Sequence, residues 1–174
     1  IGIIGLGKMG FNLALNLNRN QYEVIAHDVN TDFVKNIAKE GIKTAATVEE
    51  LCQKLQNRKV IWLMVPAGEI VDQVITSLLP FLNKNDIIID GGNSNYKDSK
   101  RRYIQLKELG FDFLDCGTSG GTSGALNGAC TMIGGDTAVF EYVSNVFQAI
   151  SVPNGCLYTG ESGSGHFTKM VHNG

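Results

Sequence analysis

The sequence is thin in several residue classes, and each shortage excludes something. Of 174 residues three are Pro and one is Trp, and Asp, Glu, Lys and Arg together make up 18%. Neither sign of charge dominates: 15 basic residues stand against 17 acidic ones, a net charge of −2. Without a basic excess there is no footprint for nucleic acid or for an anionic membrane surface, and no partner of either kind is expected. The densest basic stretch, Lys97, Lys100, Arg101 and Arg102, is expected to be a solvated helix face. No run of about 18 apolar residues occurs, so no membrane-spanning helix is expected. No secretory leader pattern is visible, and the chain opens at Ile1 already within a strand pattern. An upstream start and a cytoplasmic location are the default expectations.

Cysteine is scarce as well. Cys52, Cys116, Cys130 and Cys156 are widely spaced and form no C-x-x-C pair. Neither a zinc site nor a disulfide framework fits that spacing, no metal is expected, and the usage suits a reducing compartment. Cys52 and Cys130 lie among apolar neighbours and are expected to be small buried hydrophobes.

What the chain has in excess is glycine, 21 of 174 residues, against an average of about 7%. The glycines are clustered rather than periodic, which excludes collagen, and 43% hydrophobic content argues against disorder. Glycine in such excess marks tight turns or backbone that approaches a ligand closely.

The hydrophobic pattern alternates between strands and helices. Continuous apolar runs at 1–4, 22–27, 60–65, 86–90 and 111–114 read as strands. Helical spacing follows Gly10 and recurs at 32–40, 47–55, 70–82 and 96–109, with Thr47 and Glu50 as a capping box. Strands apolar on both faces, separated by helices, predict an α/β fold: a Rossmann-like, doubly wound, mainly parallel sheet with helices on both faces. After Asp115 the texture turns glycine-rich, with a short strand at 130–133, a helix at 140–150, a strand at 156–158 and a helix start in the tail 163–174. The expectation is one domain, 1–174, with a dinucleotide-binding core at about 1–116 and an extension at 117–174.

Gly5-x-Gly7-x-x-Gly10 sits between a strand and a helix. Gly5 suits a tight turn, Gly7 lets backbone approach a pyrophosphate, and Gly10 lets the helix pack close to the strand. The pyrophosphate would rest on the helix N-terminus, among free N–H groups at the positive dipole end. Asp28 stands 18 residues beyond Gly10, close to the distance of about 20 at which an acid binds the adenine ribose. A carboxylate there would accept the 2′- and 3′-hydroxyls and repel a 2′-phosphate, so NAD is expected and NADP is the less favoured cofactor. Val65, Pro66 and Ala67 follow a strand and either pack on the cofactor or form a plain strand-to-helix turn.

Three further groups carry chemical interest. In Asp90-Gly-Gly-Asn-Ser-Asn95, Asn93 offers a donor and an acceptor beside a nicotinamide or a substrate hydroxyl; the same Asn/Ser run also suits a helix cap. Ser119-Gly120-Gly121 suits an anion-binding nest, or loop flexibility alone. Lys169, His172 and Asn173 share one face of a helix, where a lysine desolvated in a cleft could act as a general base; a solvated amphipathic face accounts for the same spacing.

Gly5-Leu6-Gly7-Lys8-Met9-Gly10, Ile89-Asp-Gly-Gly-Asn-Ser94, Ser119-Gly-Gly121 and Gly165-His-Phe-Thr-Lys-Met-Val-His-Asn-Gly174 resemble the decarboxylating 6-phosphogluconate dehydrogenase family, along the whole chain, as its N-terminal cofactor domain. Other β-hydroxyacid dehydrogenases, of the 3-hydroxyisobutyrate or tartronate semialdehyde type, share the glycine turn and the Ser-Gly-Gly loop. They typically lack the Gly-Gly-Asn-Ser loop and carry Lys-x-x-Asn-Asn in place of Lys169-Met-Val-His172-Asn173. The third reading is an NAD-binding module without catalysis, against which the Lys169 set speaks.

The resemblance implies oxidative decarboxylation of 6-phosphogluconate to ribulose 5-phosphate with reduction of NAD. It makes Lys169 the general base, with His172 and Asn173 beside it in the catalytic set. Asn93, Ser119, Gly120, Gly121, Lys169, His172 and Asn173 would hold the phosphosugar acid. Gly5 to Gly10, Asp28, Val65, Pro66, Ala67 and Asn93 would hold the cofactor. Asp28-Val-Asn30 stands where NADP-using members have Asn-Arg-Thr, which fits an NAD-preferring subgroup. Thr122-Ser123 replaces acidic residues common after Ser-Gly-Gly. The resemblance further implies a homodimer or higher homo-oligomer, a proton-donating glutamate just past Gly174, and a following helical domain. A chain ending at Gly174 is therefore expected to be inactive alone.

Overall fold

The computed structural model describes residues 1–173. The strands are β1 (Gly2–Ile4), β2 (Ile25–His27), β3 (Lys43–Thr44), β4 (Val60–Leu63), β5 (Ile87–Asp90), β6 (Asp112–Ser119), β7 (Ala129–Gly134) and β8 (Ser151–Gly160). The helices are α1 (Lys8–Arg19), α2 (Thr31–Ala38), α3 (Val48–Lys54), α4 (Glu69–Leu78), α5 (Tyr96–Glu108), α6 (Gly121–Asn127), α7 (Thr137–Ile150) and α8 (Ser164–Asn173). All eight strands form one sheet in the order β3-β2-β1-β4-β5-β6-β7-β8. Every pairing is parallel except β6 with β7. The order reverses beside β1, between β1 and β4, which is where such sheets open a ligand crevice at the carboxyl ends of the strands.

The apolar runs are continuous because both faces of the sheet are covered. Side chains alternate faces along a strand. Ile3, Trp62, Ile87, Ile89 and Leu114 enter one core with α1 and α7. Ile4, Ile61, Leu63, Ile88 and Phe113 enter the other with α3, α4 and α5. At about 25 cal/mol per Å², each such buried side chain contributes roughly 1.5–3 kcal/mol relative to exposure. Thr47 caps α3 by accepting from the Glu50 N–H at 3.1 Å, while the Glu50 carboxylate accepts from the Ala46 N–H at 2.7 Å.

Two expectations are corrected, and one helix appears that the sequence does not predict. Arg102 is not on a solvated face: it is 1% exposed. It donates from Nε to Asp72 at 2.8 Å and from Nη2 to the Gly68 carbonyl at 3.0 Å, so partners from α4 pull one side chain of the basic run inward. Hydrogen bonding to Arg102 holds the Asp72 carboxyl below the usual carboxylate range, against a smaller opposing effect of burial. Cys130 is exposed, because β7 turns it outward between buried Ala129 and Thr131; Cys52 is buried as expected. The stretch 121–127, for which the sequence predicts no element, is a helix. Its glycines give little helical propensity, and α1 supplies the support: Asn12 and Asn16 donate from Nδ2 to the Thr122 and Ala125 carbonyls, each at 3.1 Å.

Smaller differences follow the same logic. β6 and β8 are longer than their apolar cores because β7 pairs with both. β2 is shorter than 22–27, and the end of the 70–82 pattern is a 3-10 turn, Leu79–Phe81, imposed by Pro80.

Candidate functional site

The turn between β1 and α1 assigns each glycine a different task. Gly5 has φ +103°, which an L side chain rarely adopts. A Cβ on Gly10 would collide with the Gly5 carbonyl, so α1 can pack this close to β1 only over glycine. A Cβ on Gly7 would meet nothing within 4 Å. That open backbone, at the free N–H end of α1, leaves room for an anion.

Around this turn lies a cleft of about 660 Å³, bordered by Gly5, Gly7, Lys8, Met9 and Gly10. Across from them stand Val65, Pro66, Ala67, Gly91, Gly92 and Asn93, with Asp28 at one end. Leu6 differs from its neighbours: its side chain is buried, and its N–H donates to Asp28 Oδ2 at 2.6 Å. Asp28 Oδ1 accepts from the Asn30 N–H at 2.8 Å. The carboxylate is thus oriented by backbone on both oxygens, and each oxygen keeps a lone pair for a further donor. Val29 beside it is 94% exposed, and Phe33 and Ile70 complete an apolar wall at that end.

A second cleft, of about 490 Å³, is bordered by Asn93, Asn95, Tyr96, His166, Lys169 and Asn173. Asn93 borders both clefts. Asn95, not Asn93, caps α5, its Oδ1 accepting from the Lys97 N–H at 2.9 Å, which leaves Asn93 exposed toward the clefts. On α8, Lys169 Nζ donates to Asn173 Oδ1 at 3.0 Å. His172 Nε2 lies 3.4 Å from Ser119 Oγ, so the same helix reaches the 119–121 turn. Gly120 and Gly121, with φ +123° and +60°, turn that backbone into the start of α6.

α8 reaches this position because glycine removes the obstacles. A Cβ on Gly117 would lie 2.5 Å from Lys169 Cβ, and one on Gly165 would collide with the Met132 carbonyl. Asp115, fully buried, then fixes the helix entry by accepting from the Gly163 N–H at 2.7 Å and the His166 N–H at 2.9 Å. His166 is 3% exposed, with Nδ1 2.7 Å from Ser99 Oγ.

At the carboxyl ends of the strands the structure brings Gly5, Gly7 to Gly10, Asp28, Val65 to Ala67 and Asn93 to the first cleft and Asn93, Lys169 and Asn173 to the second; Leu6 is buried, and Ser119, Gly120, Gly121 and His172 border neither cleft. Motif reading missed Asp90, Asp115 and Arg102. The two carboxylates had a legible signal, an Asp ending or directly following a mainly apolar strand run, as at Asp28; Arg102 had none. Such carboxylates are desolvated and recruit nearby N–H groups or a cation. Among the described residues no cluster of three or more His, Cys, Asp or Glu could hold a metal ion, and no helix is long and apolar enough to cross a membrane.

Residues 1–160 match the family described as the NAD binding domain of 6-phosphogluconate dehydrogenase. The chain is 47% identical over 174 residues to the Bacillus subtilis protein YqeC, covering all of this chain and 58% of that one. It is 43% identical over 182 residues to the NAD(+)-dependent, decarboxylating 6-phosphogluconate dehydrogenase of Bacillus subtilis, covering all of this chain and 39% of that one. Among solved structures, Plasmodium falciparum 6-phosphogluconate dehydrogenase, described with NADP+ and with 6-phosphogluconate, superposes with a TM-score of 0.94 at 34% identity, covering 99% of this chain and 39% of that one. The chain thus spans from about two fifths to three fifths of the length of these relatives.

Proposed function

Since the chain belongs to the 6-phosphogluconate dehydrogenase family by its NAD(P)-binding domain, we propose that it is the cofactor-binding part of an NAD-preferring, decarboxylating 6-phosphogluconate dehydrogenase. One observation carries the reading: Asn93 joins the glycine-turn cleft to the cleft that holds Lys169 and Asn173. A dinucleotide laid along the first would end beside the second.

The residues present fit the cofactor. Gly7 leaves an open cradle at the α1 N-terminus, and Asp28 stands ready for the ribose hydroxyls. Bound NAD would supply the hydride acceptor. The Asp28 carboxylate would repel a 2′-phosphate, and Val29 next to it offers no cation to hold one. Relatives are described with each cofactor, NAD(+) in one and NADP+ in another.

Lys169 would take the proton of the C3 hydroxyl through Nζ as the hydride departs. The Asn173 amide oxygen holds that amine in place at 3.0 Å. The resulting ketone lies β to the carboxylate and draws the electron pair of the breaking C–C bond as carbon dioxide leaves. Lys169 would then return its proton to the former carbonyl oxygen. His172, Ser119 and the 120–121 backbone would hold the sugar acid against this base, with Asn93 bridging to the cofactor side. Such positioning, together with general base catalysis, is worth several orders of magnitude.

The test is an assay of the parent enzyme with 6-phosphogluconate and 3-hydroxyisobutyrate, each with NAD and NADP. The expected outcome is NAD reduction by 6-phosphogluconate, lowered by about 10³-fold or more in Lys169→Ala. Turnover of 3-hydroxyisobutyrate alone, or an active Lys169→Ala enzyme, contradicts the proposal.

A further inference from the structure

Arg102 touches neither of the residue sets assigned above, yet it is the most completely buried cation near them, at 1% exposure. Its guanidinium joins two neighbouring loops that border the first cleft together, opposite the glycine turn. On one side Nη2 donates to the Gly68 carbonyl at 3.0 Å, and Nε donates to Asp72 Oδ1 at 2.8 Å in the first turn of α4. On the other side Nη1 lies 3.4 Å from Ser94 Oγ and 3.5 Å from Asp90 Oδ2. Asp90 closes the second loop upon itself, accepting from Ser94 Oγ at 2.5 Å and from the Gly92 N–H at 3.1 Å.

The loops so joined are the one that carries Val65, Pro66 and Ala67 and the one that carries Gly91, Gly92 and Asn93. They already touch. A Cβ on Gly92 would come within 2.8 Å of the Val65 carbonyl oxygen, and a Cβ on Gly91 would strike the Trp62 indole nitrogen. A small shift of either loop therefore changes the cleft at once. The fork geometry matters: a guanidinium donates in several fixed directions, whereas a lysine ammonium is a single point of charge on a flexible stem.

We propose that Arg102 is a positioning residue of the cofactor site, setting the gap between the 65–68 and 91–94 loops and with it the placement of Asn93. The inference rests on the dinucleotide reading of the cleft. It separates two roles inside one basic run, since Arg101 stays on the surface while Arg102 acts from beneath the site.

Trp62, the single tryptophan, supplies a local reporter. Its indole is buried under Gly91, and Nε1 has no hydrogen-bond partner among the described residues. If the 91–94 loop lifts, water reaches that N–H and emission moves to longer wavelength. The experiment compares the wild-type chain with Arg102→Lys and Ser94→Ala, each held well below its own unfolding midpoint. NAD affinity is measured by calorimetry and Trp62 by emission. Arg102→Lys is expected to weaken NAD by about tenfold, equivalent to about 1.4 kcal/mol. Ser94→Ala should weaken it less, and both should shift emission to the red while keeping native circular dichroism. Should Arg102→Lys fail to fold, Ser94→Ala carries the test, because it removes no buried charge. NAD affinity at the wild-type level in the folded variants overturns the proposal, with or without a shift in emission. A wild-type chain that binds no NAD overturns the cofactor reading instead; unchanged Trp62 emission in the variants then overturns the loop-holding claim as well.

Discussion

At the scale of single residues, the site depends on where a carboxylate or a missing Cβ stands. Asp28 could be picked out from its distance to Gly10, but its orientation could not. In the fold its two oxygens are held by the N–H groups of Leu6 and Asn30. Hydrogen bonds to a charged acceptor contribute about 1.5–3 kcal/mol. Asp28→Ala should therefore weaken NAD by at least about tenfold and narrow the proposed preference for NAD over NADP, as read by calorimetry on the chain. An unchanged ratio of the two affinities would remove Asp28 from the selectivity argument. The cysteines show the limit of reading neighbours. Cys52 and Cys130 both sit among apolar residues in sequence, yet only Cys52 is buried, its thiol pushed up to about 11 by desolvation. Burial raises Cys116 further and Cys156 as well. Thiolate availability governs thiol chemistry. A disulfide reagent at about pH 8 should thus modify Cys130 first and Cys156 slowly, with Cys52 and Cys116 reacting only on unfolding. Mass spectrometry of the native chain would show the order, and early labelling of Cys52 would contradict the burial argument.

At the scale of elements, the helices and strands of the first half, apart from the two-residue β3, were legible because their signals are local. Thr47 and Glu50 cap α3, Gly41 and Gly110 follow α2 and α5, and period-2 exposure to two cores accounts for every fully apolar strand. α6 was not legible, because its support comes from the amides of Asn12 and Asn16 on another helix. α8 depends in the same way on Asp115, a partner about 50 residues earlier in sequence. Its carboxylate accepts two N–H groups at the helix entry in a fully buried position. Asp115→Asn keeps the shape but can accept through one atom only, turning an amine toward the other N–H. A loss of about 1–3 kcal/mol in stability is expected. Turnover by the parent enzyme should fall with it, while NAD affinity of the folded variant stays within about twofold, since Asp115 lies outside the dinucleotide cleft. Chemical denaturation and calorimetry together test this, and a parallel fall in NAD affinity would show that α8 and the cleft are not separately supported.

At the scale of the whole molecule, the two halves of the chain share one sheet. β6 continues the parallel order from β5 and turns it antiparallel into β7, and Trp62 of β4 packs on Phe147 of α7 with ring centroids 5.1 Å apart. A contact of that kind between early and late residues makes unfolding cooperative. Near-ultraviolet signals from Trp62 and far-ultraviolet helical signal should vanish in a single transition, and saturating NAD should raise its midpoint through preferential binding to the folded state. A separate early loss of helix, with Trp62 still buried, would mean that the glycine-rich second half melts on its own.

The sequence by itself determined most of the elements, the two-faced parallel core and the glycine turn with its acid at Asp28. Those depend on periodicity, on capping pairs and on glycines at fixed offsets, all of which act over a few residues. Only the tertiary structure decided that Arg102 lies beneath two loops, that Asp115 holds the start of α8, that Cys130 faces out and that Asn93 belongs to both clefts. Each of these is settled by partners distant in sequence, where a desolvated charge must find its counterpart in the one place the packed chain supplies it.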